Sequence, residues 1–98
     1  MAHNHFVYMI RCKDATLYTG YTTDVHKRFA KHQAGKGAKY TRGRGPLELM
    51  YTEGFATKIE AMQREYELKQ LSKQAKLSLI NQRKEEYHGT STTELPDE

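Results

Sequence analysis

Cysteine is almost missing from this sequence. Cys12 stands alone, which excludes an internal disulfide and any cysteine-rich zinc site and suits a reducing compartment. It reads as a small core residue at a strand end. No apolar run approaches the ~20 residues of a membrane helix. Met1 to His5 lack the basic and apolar regions of a secretory signal. The expectation is a soluble cytoplasmic protein with no membrane partner. His3, His5 and His26 have no zinc-like spacing with a cysteine and read as surface residues. No internal repeat is visible, and 98 residues leave room for one domain.

Acidic residues are absent from one long stretch. Between His26 and Leu47 lie Lys27, Arg28, Lys31, Lys36, Lys39, Arg42 and Arg44, with no Asp or Glu among them. The net charge of +4 is therefore concentrated in one block. Such a block is the electrostatic footprint of a phosphate-binding surface. A solvated surface or an affinity for anionic membranes would also account for it. Glycine and tyrosine interleaved with the charges favour nucleic acid and mark Lys36, Lys39, Tyr40, Arg42 and Arg44 as its candidate contacts.

Phe6 to Cys12 is rich in apolar and β-forming residues, and Leu17 to Thr22 is again strand-like; the polar segment between them predicts an antiparallel hairpin. Thr22, Thr23 and Asp24 are good caps for a helix in which Val25, Phe29 and His32 or Gln33 recur at helical spacing, until Gly35 stops it. Four glycines and a proline make Gly35 to Pro46 a loop. Leu47 to Phe55 reads as a third strand, with Gly54 at its end or in a bulge. Thr57 to Leu71 predicts a helix with a wide buried stripe of Ile59, Ala61, Met62, Tyr66, Leu68 and Leu71. Ser72 caps a second helix, Lys73 to Arg83, whose Ala75, Leu77, Leu79 and Ile80 face inward. Nothing from Gly89 onward asks to be buried, which predicts a disordered tail. The fold class is α/β (α+β): a small three-stranded mixed or antiparallel sheet with an N-terminal hairpin, packed with about three helices. The organisation is a flexible 1–5, a folded domain over 6–84 and a polar tail over 85–98.

Several chemistry-bearing residues coincide on this frame. Tyr8 and Tyr18 sit on the two strands of one hairpin. Arg28 and His32, four residues apart, share a helix face. Glu65 lies on a later helix, with Lys69 one turn on. Arg grips phosphate oxygens through a planar fork, a carboxylate is the usual hard-oxygen ligand of Mg²⁺, and a polarised hydroxyl can orient or deprotonate water. If both tyrosines line one site, paired residues must have an even index sum, as when Tyr8 opposes Gly20 and Ile10 opposes Tyr18.

Phe6-Val7-Tyr8, with Tyr18-Thr19-Gly20 ten residues on, resembles the paired motifs that name the GIY-YIG nucleases. Arg28 stands where that superfamily has its arginine, and His32 where it has a histidine or tyrosine one turn further. Ala61-Met62-Gln63-Arg64-Glu65 is similar to the context of its metal-binding glutamate. The stretch Gly35 to Thr41 resembles the small stand-alone bacterial members, the YhbQ-like group. Phe6, Val7 and Thr19 depart from the family's Gly, Ile and Ile, at positions that shape backbone and core. Asn81 is the one candidate for a late asparagine and receives no role.

The resemblance implies an endonuclease that hydrolyses DNA, RNA not excluded, with one Mg²⁺ or Mn²⁺, in DNA repair or processing. Glu65 would hold the metal, with Glu60 and Glu67 as alternatives if the helix register differs. Arg28 would stabilise charge on the phosphate. Tyr18 would take the proton of the attacking water, with His32 or Tyr8 tuning it. The competing expectation is a nucleic-acid-binding module of the same fold without independent catalytic activity.

Overall fold

The structure is a computed structural model and describes residues 3–91. Strands β1 (His5–Arg11) and β2 (Leu17–Thr22) form the hairpin; α1 (Val25–Gln33), a short 3-10 turn (Lys39–Thr41) and β3 (Glu48–Phe55) follow, then α2 (Lys58–Gln70) and α3 (Lys73–Ser91). The sheet order is β2-β1-β3, with both pairings antiparallel. The sheet is thus wholly antiparallel, because α1 and the basic loop carry the chain from one side of β1 to the other. Helix α3 extends past the expected end at Arg83. Of the expected tail, residues 92–98 lie outside the described residues.

The central strand is covered on both faces, which is why Val7, Tyr8, Met9 and Ile10 are apolar without alternation and all buried. On one face Tyr8 and Ile10 pack with Cys12, Leu47, Tyr18, Leu49 and Phe29 of α1. On the other, Val7 meets Ala61 and Leu68 of α2, while Met9 meets Tyr51 and Ile80 of α3. Cys12 is a buried core residue, as expected.

The hairpin register pairs Tyr8 with Gly20 and Ile10 with Tyr18, the even-sum pairing that keeps both tyrosines on one face. Cys12 N–H bonds to Thr16 C=O at 2.9 Å, closing a three-residue loop with Ala15 in the left-handed region at φ 69°. Asp14 accepts from the backbone N–H and hydroxyl of Thr16 and fixes the loop. The β3 bulge falls at Met50, between the Met9–Tyr51 and Ile10–Leu49 pairs, and not at Gly54.

The wide buried stripe expected of α2 is a correction. Ala61 and Leu68 are buried, but Ile59 (70% exposed), Met62, Tyr66 (68%) and Leu71 are exposed, and so is Leu77 of α3. The sheet behind α2 is only three strands wide and accepts a narrow ridge of the helix. His5 also departs from a bare surface role: its ring bonds to the Tyr21 hydroxyl at 2.8 Å and stacks on that ring.

One buried hydroxyl is left over. Thr19 Oγ1 has no hydrogen-bond partner among the described residues. Thr19→Val keeps the branched shape that suits a strand and removes the orphan. It should raise stability by about 1 kcal/mol, or about 4–8 °C in Tm for a domain of this size. A thermal melt showing no gain would mean that the hydroxyl is satisfied by water.

Candidate active site

Two local devices aim the tyrosines and the helix that faces them. Across the hairpin Tyr8 lies over Gly20: a Cβ there would sit 2.6 Å from the Tyr8 hydroxyl oxygen and 2.7 Å from Cζ. The glycine of the second motif thus makes room for the tyrosine of the first. At the start of α1 the Asp24 carboxylate accepts from Lys27 N–H at 3.1 Å. That cap starts the helix so that Arg28 and His32 both face the tyrosines.

The result is a compact cluster. The Tyr8 hydroxyl lies 2.8 Å from His32 Nε2, and Arg28 Nε donates to the same oxygen at 3.4 Å. The Tyr18 ring is 6.2 Å from that of Tyr8 and 5.3 Å from the imidazole. Tyr8 and His32 are fully buried, whereas Tyr18 and Arg28 are half-buried and reach the surface. His32 stands in the last turn of α1, yet its ring is turned inward. Burial, and then the Arg28 charge, push its pKa below the ordinary value and keep the imidazole neutral. Burial raises the Tyr8 pKa against the opposing Arg28 hydrogen bond, with Tyr18 and Glu65 adding to the rise. The Tyr8 bond in turn raises that of Arg28.

Glu65 falls between Ala61 and Leu68 on the face of α2 that meets the sheet, and its side chain is 13% exposed. Lys69 Nζ lies 3.2 Å from its carboxylate. The Glu65 charge adds to the rise in the Tyr8 pKa. The two alternatives are exposed and otherwise engaged: Glu60 bonds with the Thr57 cap, and Glu67 pairs with Arg64 at 3.2 Å.

No group of three or more His, Cys, Asp or Glu suited to a metal occurs among the described residues. A multi-ligand protein cage is therefore not what this site offers. A single, mostly buried carboxylate such as Glu65 does fit Mg²⁺, which keeps several waters and takes one or two carboxylates plus phosphate oxygens.

The basic loop is sewn to the hairpin turn. Lys13 N–H donates to Arg44 C=O at 2.8 Å, and the Arg44 guanidinium pairs with Asp14 at 2.6 Å. Arg44 also lies 4.7 Å from the centre of the Tyr40 ring, which itself sits 5.7 Å from Tyr18. Lys36, Lys39, Tyr40 and Arg42 are exposed. Tyr40 and Arg44 thus belong to the rim of the tyrosine cluster, while the other three cations form an outer surface.

Reading the sequence missed Gly37, Thr41 and Asp14. Thr41 is fully buried, with its hydroxyl 2.8 Å from His32 Nδ1. A Cβ on Gly37 would come within 2.9 Å of His32 Cα and closer still to its ring. The one available signal was the glycine-rich run beside a histidine, and it does not say what the glycines approach.

Comparison with known proteins places the chain in a family. The description "GIY-YIG catalytic domain" matches residues 4–81. A UPF0213 protein of Staphylococcus haemolyticus is 58% identical over 79 residues, covering 81% of this chain and 96% of that protein. A UPF0213 protein of Natronomonas pharaonis is 59% identical over 80 residues, covering 82% and 94%. The solution NMR structure of the UPF0213 protein BH0048 from Bacillus halodurans superposes with a TM-score of 0.56 at 50% identity, covering 94% of this chain and 98% of that one. With its two tyrosine motifs paired in register and its helices on both sheet faces, the chain belongs to the GIY-YIG nuclease family.

Proposed function

We propose that this protein is a metal-dependent endonuclease that hydrolyses phosphodiester bonds in DNA. The observation that supports it most directly is the convergence of Tyr8, Tyr18, Arg28 and His32 within hydrogen-bond or ring-contact distance, on the rim of a basic loop.

Each side chain has a role that its position suits. Arg28 is half-buried, bonded to Tyr8 and permanently charged, so its remaining donors can grip the scissile phosphate and stabilise charge growing on its non-bridging oxygens. Tyr18 reaches the surface where a water would attack, and it takes the water's proton. Tyr8 is the buried support through which His32 and Arg28 act on the site. Glu65 would hold Mg²⁺ or Mn²⁺, with Lys69 giving way. A bound divalent ion supplies Lewis-acid neutralisation of the phosphate and the leaving oxygen. Incubating the protein with labelled single-stranded, duplex and branched DNA, and with RNA, in Mg²⁺, Mn²⁺ or chelator tests this reading. Binding at low salt without any cutting would instead assign it to a nucleic-acid-binding module.

The outer cations should set the salt dependence of binding. Each neutralised phosphate releases counterions, so log K falls by about 0.7–0.9 per contact per decade of salt. Replacing Lys36, Lys39 and Arg42 with Ala should lower the slope by about 2–3, while Arg44→Ala, already engaged by Asp14, should lower it less. An unchanged slope in a fluorescence-anisotropy titration would move the nucleic acid off this loop.

A further inference from the structure

The imidazole of His32 is held from behind by a part of the chain that the catalytic roles above do not use. After α1 the chain turns back over the helix end, and the 3-10 turn brings a backbone N–H and a hydroxyl to Nδ1. Ala38 N–H reaches it at 3.4 Å and the Thr41 hydroxyl at 2.8 Å. Gly37 makes this approach possible, because any Cβ there would collide with the ring.

The proton assignment follows from which of these groups has a choice. Ala38 N–H can only donate, so a proton on Nδ1 would face it head-on. The Thr41 hydroxyl can rotate either to Nδ1 or to Ala38 C=O, 3.1 Å away. That carbonyl already accepts from Thr41 N–H at 3.2 Å and does not need the hydroxyl. A bare Nδ1 accepts from the obligate donor Ala38 N–H and leaves the hydroxyl free to donate to it as well, which places the neutral ring's proton on Nε2. Nε2 faces the Tyr8 hydroxyl at 2.8 Å, so the imidazole donates and Tyr8 accepts. Arg28 Nε, another group that can only donate, points at the same oxygen. With two N–H donors on its oxygen, Tyr8 must send its own proton outward, toward the site.

We propose that the Gly37–Thr41 turn is a tautomer lock, with Thr41 as the positioning residue that keeps His32 in the Nε2–H form and so makes Tyr8 a hydrogen-bond donor toward the reacting groups. The consequence for catalysis rests on the nuclease reading, but the lock itself is a property of the free protein.

The experiment has two arms so that the two can fail separately. In the first, ¹⁵N-edited NMR of the ring nitrogens is recorded on metal-free, substrate-free protein. The lock requires a bare, pyridine-type Nδ1 and a protonated, pyrrole-type Nε2 at His32. Thr41→Val should move both resonances toward the average of the two tautomers, and Thr41→Ser should return them. In the second arm, Thr41→Val should lower kcat about tenfold, the worth of roughly one hydrogen bond, with KM unchanged, and Thr41→Ser should recover it. A wild-type ring protonated on Nδ1 overturns the proposal, as does a Thr41→Val protein whose ring resonances stay in place. If Thr41→Val does not fold, the wild-type and Thr41→Ser spectra still decide it. A correct tautomer in a protein that cuts no nucleic acid would uphold the lock and sink the nuclease reading alone.

Discussion

Cleavage by a Glu65→Gln variant should fall by roughly 10³-fold or more, because a metal ion's charge stabilisation is worth several kcal/mol. Binding to DNA should persist or tighten slightly, since a negative charge is removed from a protein that binds a polyanion. The substitution keeps the shape of a side chain that is 13% exposed, so the fold should hold. Tyr18→Phe removes one hydroxyl and should cost about 10²–10⁴-fold in rate at unchanged affinity, the range for loss of a general base. The control is Glu67→Gln, on the same helix but exposed and paired with Arg64, where little should change. Lys69 cannot serve as that control, because it touches the Glu65 carboxylate. The measurement is single-turnover cleavage beside anisotropy binding. Metal-dependent cutting that survives both Glu65→Gln and Tyr18→Phe would place the activity in another site or another protein.

Gly20→Ala should be among the most damaging single-methyl additions in this molecule. The new Cβ would lie 2.6 and 2.7 Å from Tyr8 oxygen and Cζ and 3.0 Å from a ring carbon of Tyr18. Tyr8 is fully buried and held by His32 and Arg28, so the ring has nowhere to retreat. The overpacking should cost about 1–3 kcal/mol and lower Tm by several degrees per kcal/mol. Cleavage should be lost with it, because the displaced hydroxyl is the one that His32 and Arg28 hold. Tyr8→Phe on top of Gly20→Ala relieves the oxygen contact and should return part of the stability but none of the activity. A Gly20→Ala protein with unchanged melting would show that Tyr8 is free to move, and would undo the account of the glycine.

These two expectations draw on different sources. Glu65 and Tyr18 could be picked from the chain by spacing and resemblance, whereas the reason for Gly20 is visible only once β1 lies beside β2. The apolar pattern of β1, the cap at Asp24 and the cap at Ser72 likewise act over a few residues, and the structure bears them out. The face shared by Tyr8 and Tyr18 followed from strand alternation once an even register was assumed.

What the sequence by itself determined is local: strands and helices, their approximate ends, the charge block, and the identity of the groups able to handle a phosphate. Hydrogen bonds between near neighbours and side-chain periodicity decide such features, so they can be read along the chain. The tertiary structure decided what depends on distant partners. It left Ile59, Met62 and Tyr66 on the outside, because a three-stranded sheet accepts a narrow helix ridge. It tied Arg44 to Asp14 across thirty residues and made the basic loop a wall of the tyrosine cluster. It also turned His32 from a residue at a helix end into a buried ring met by Tyr8 on one nitrogen and by Ala38 and Thr41 on the other. Each of these rests on contacts, made or missing, that depend on how the chain folds back on itself, where neither periodicity nor propensity reaches.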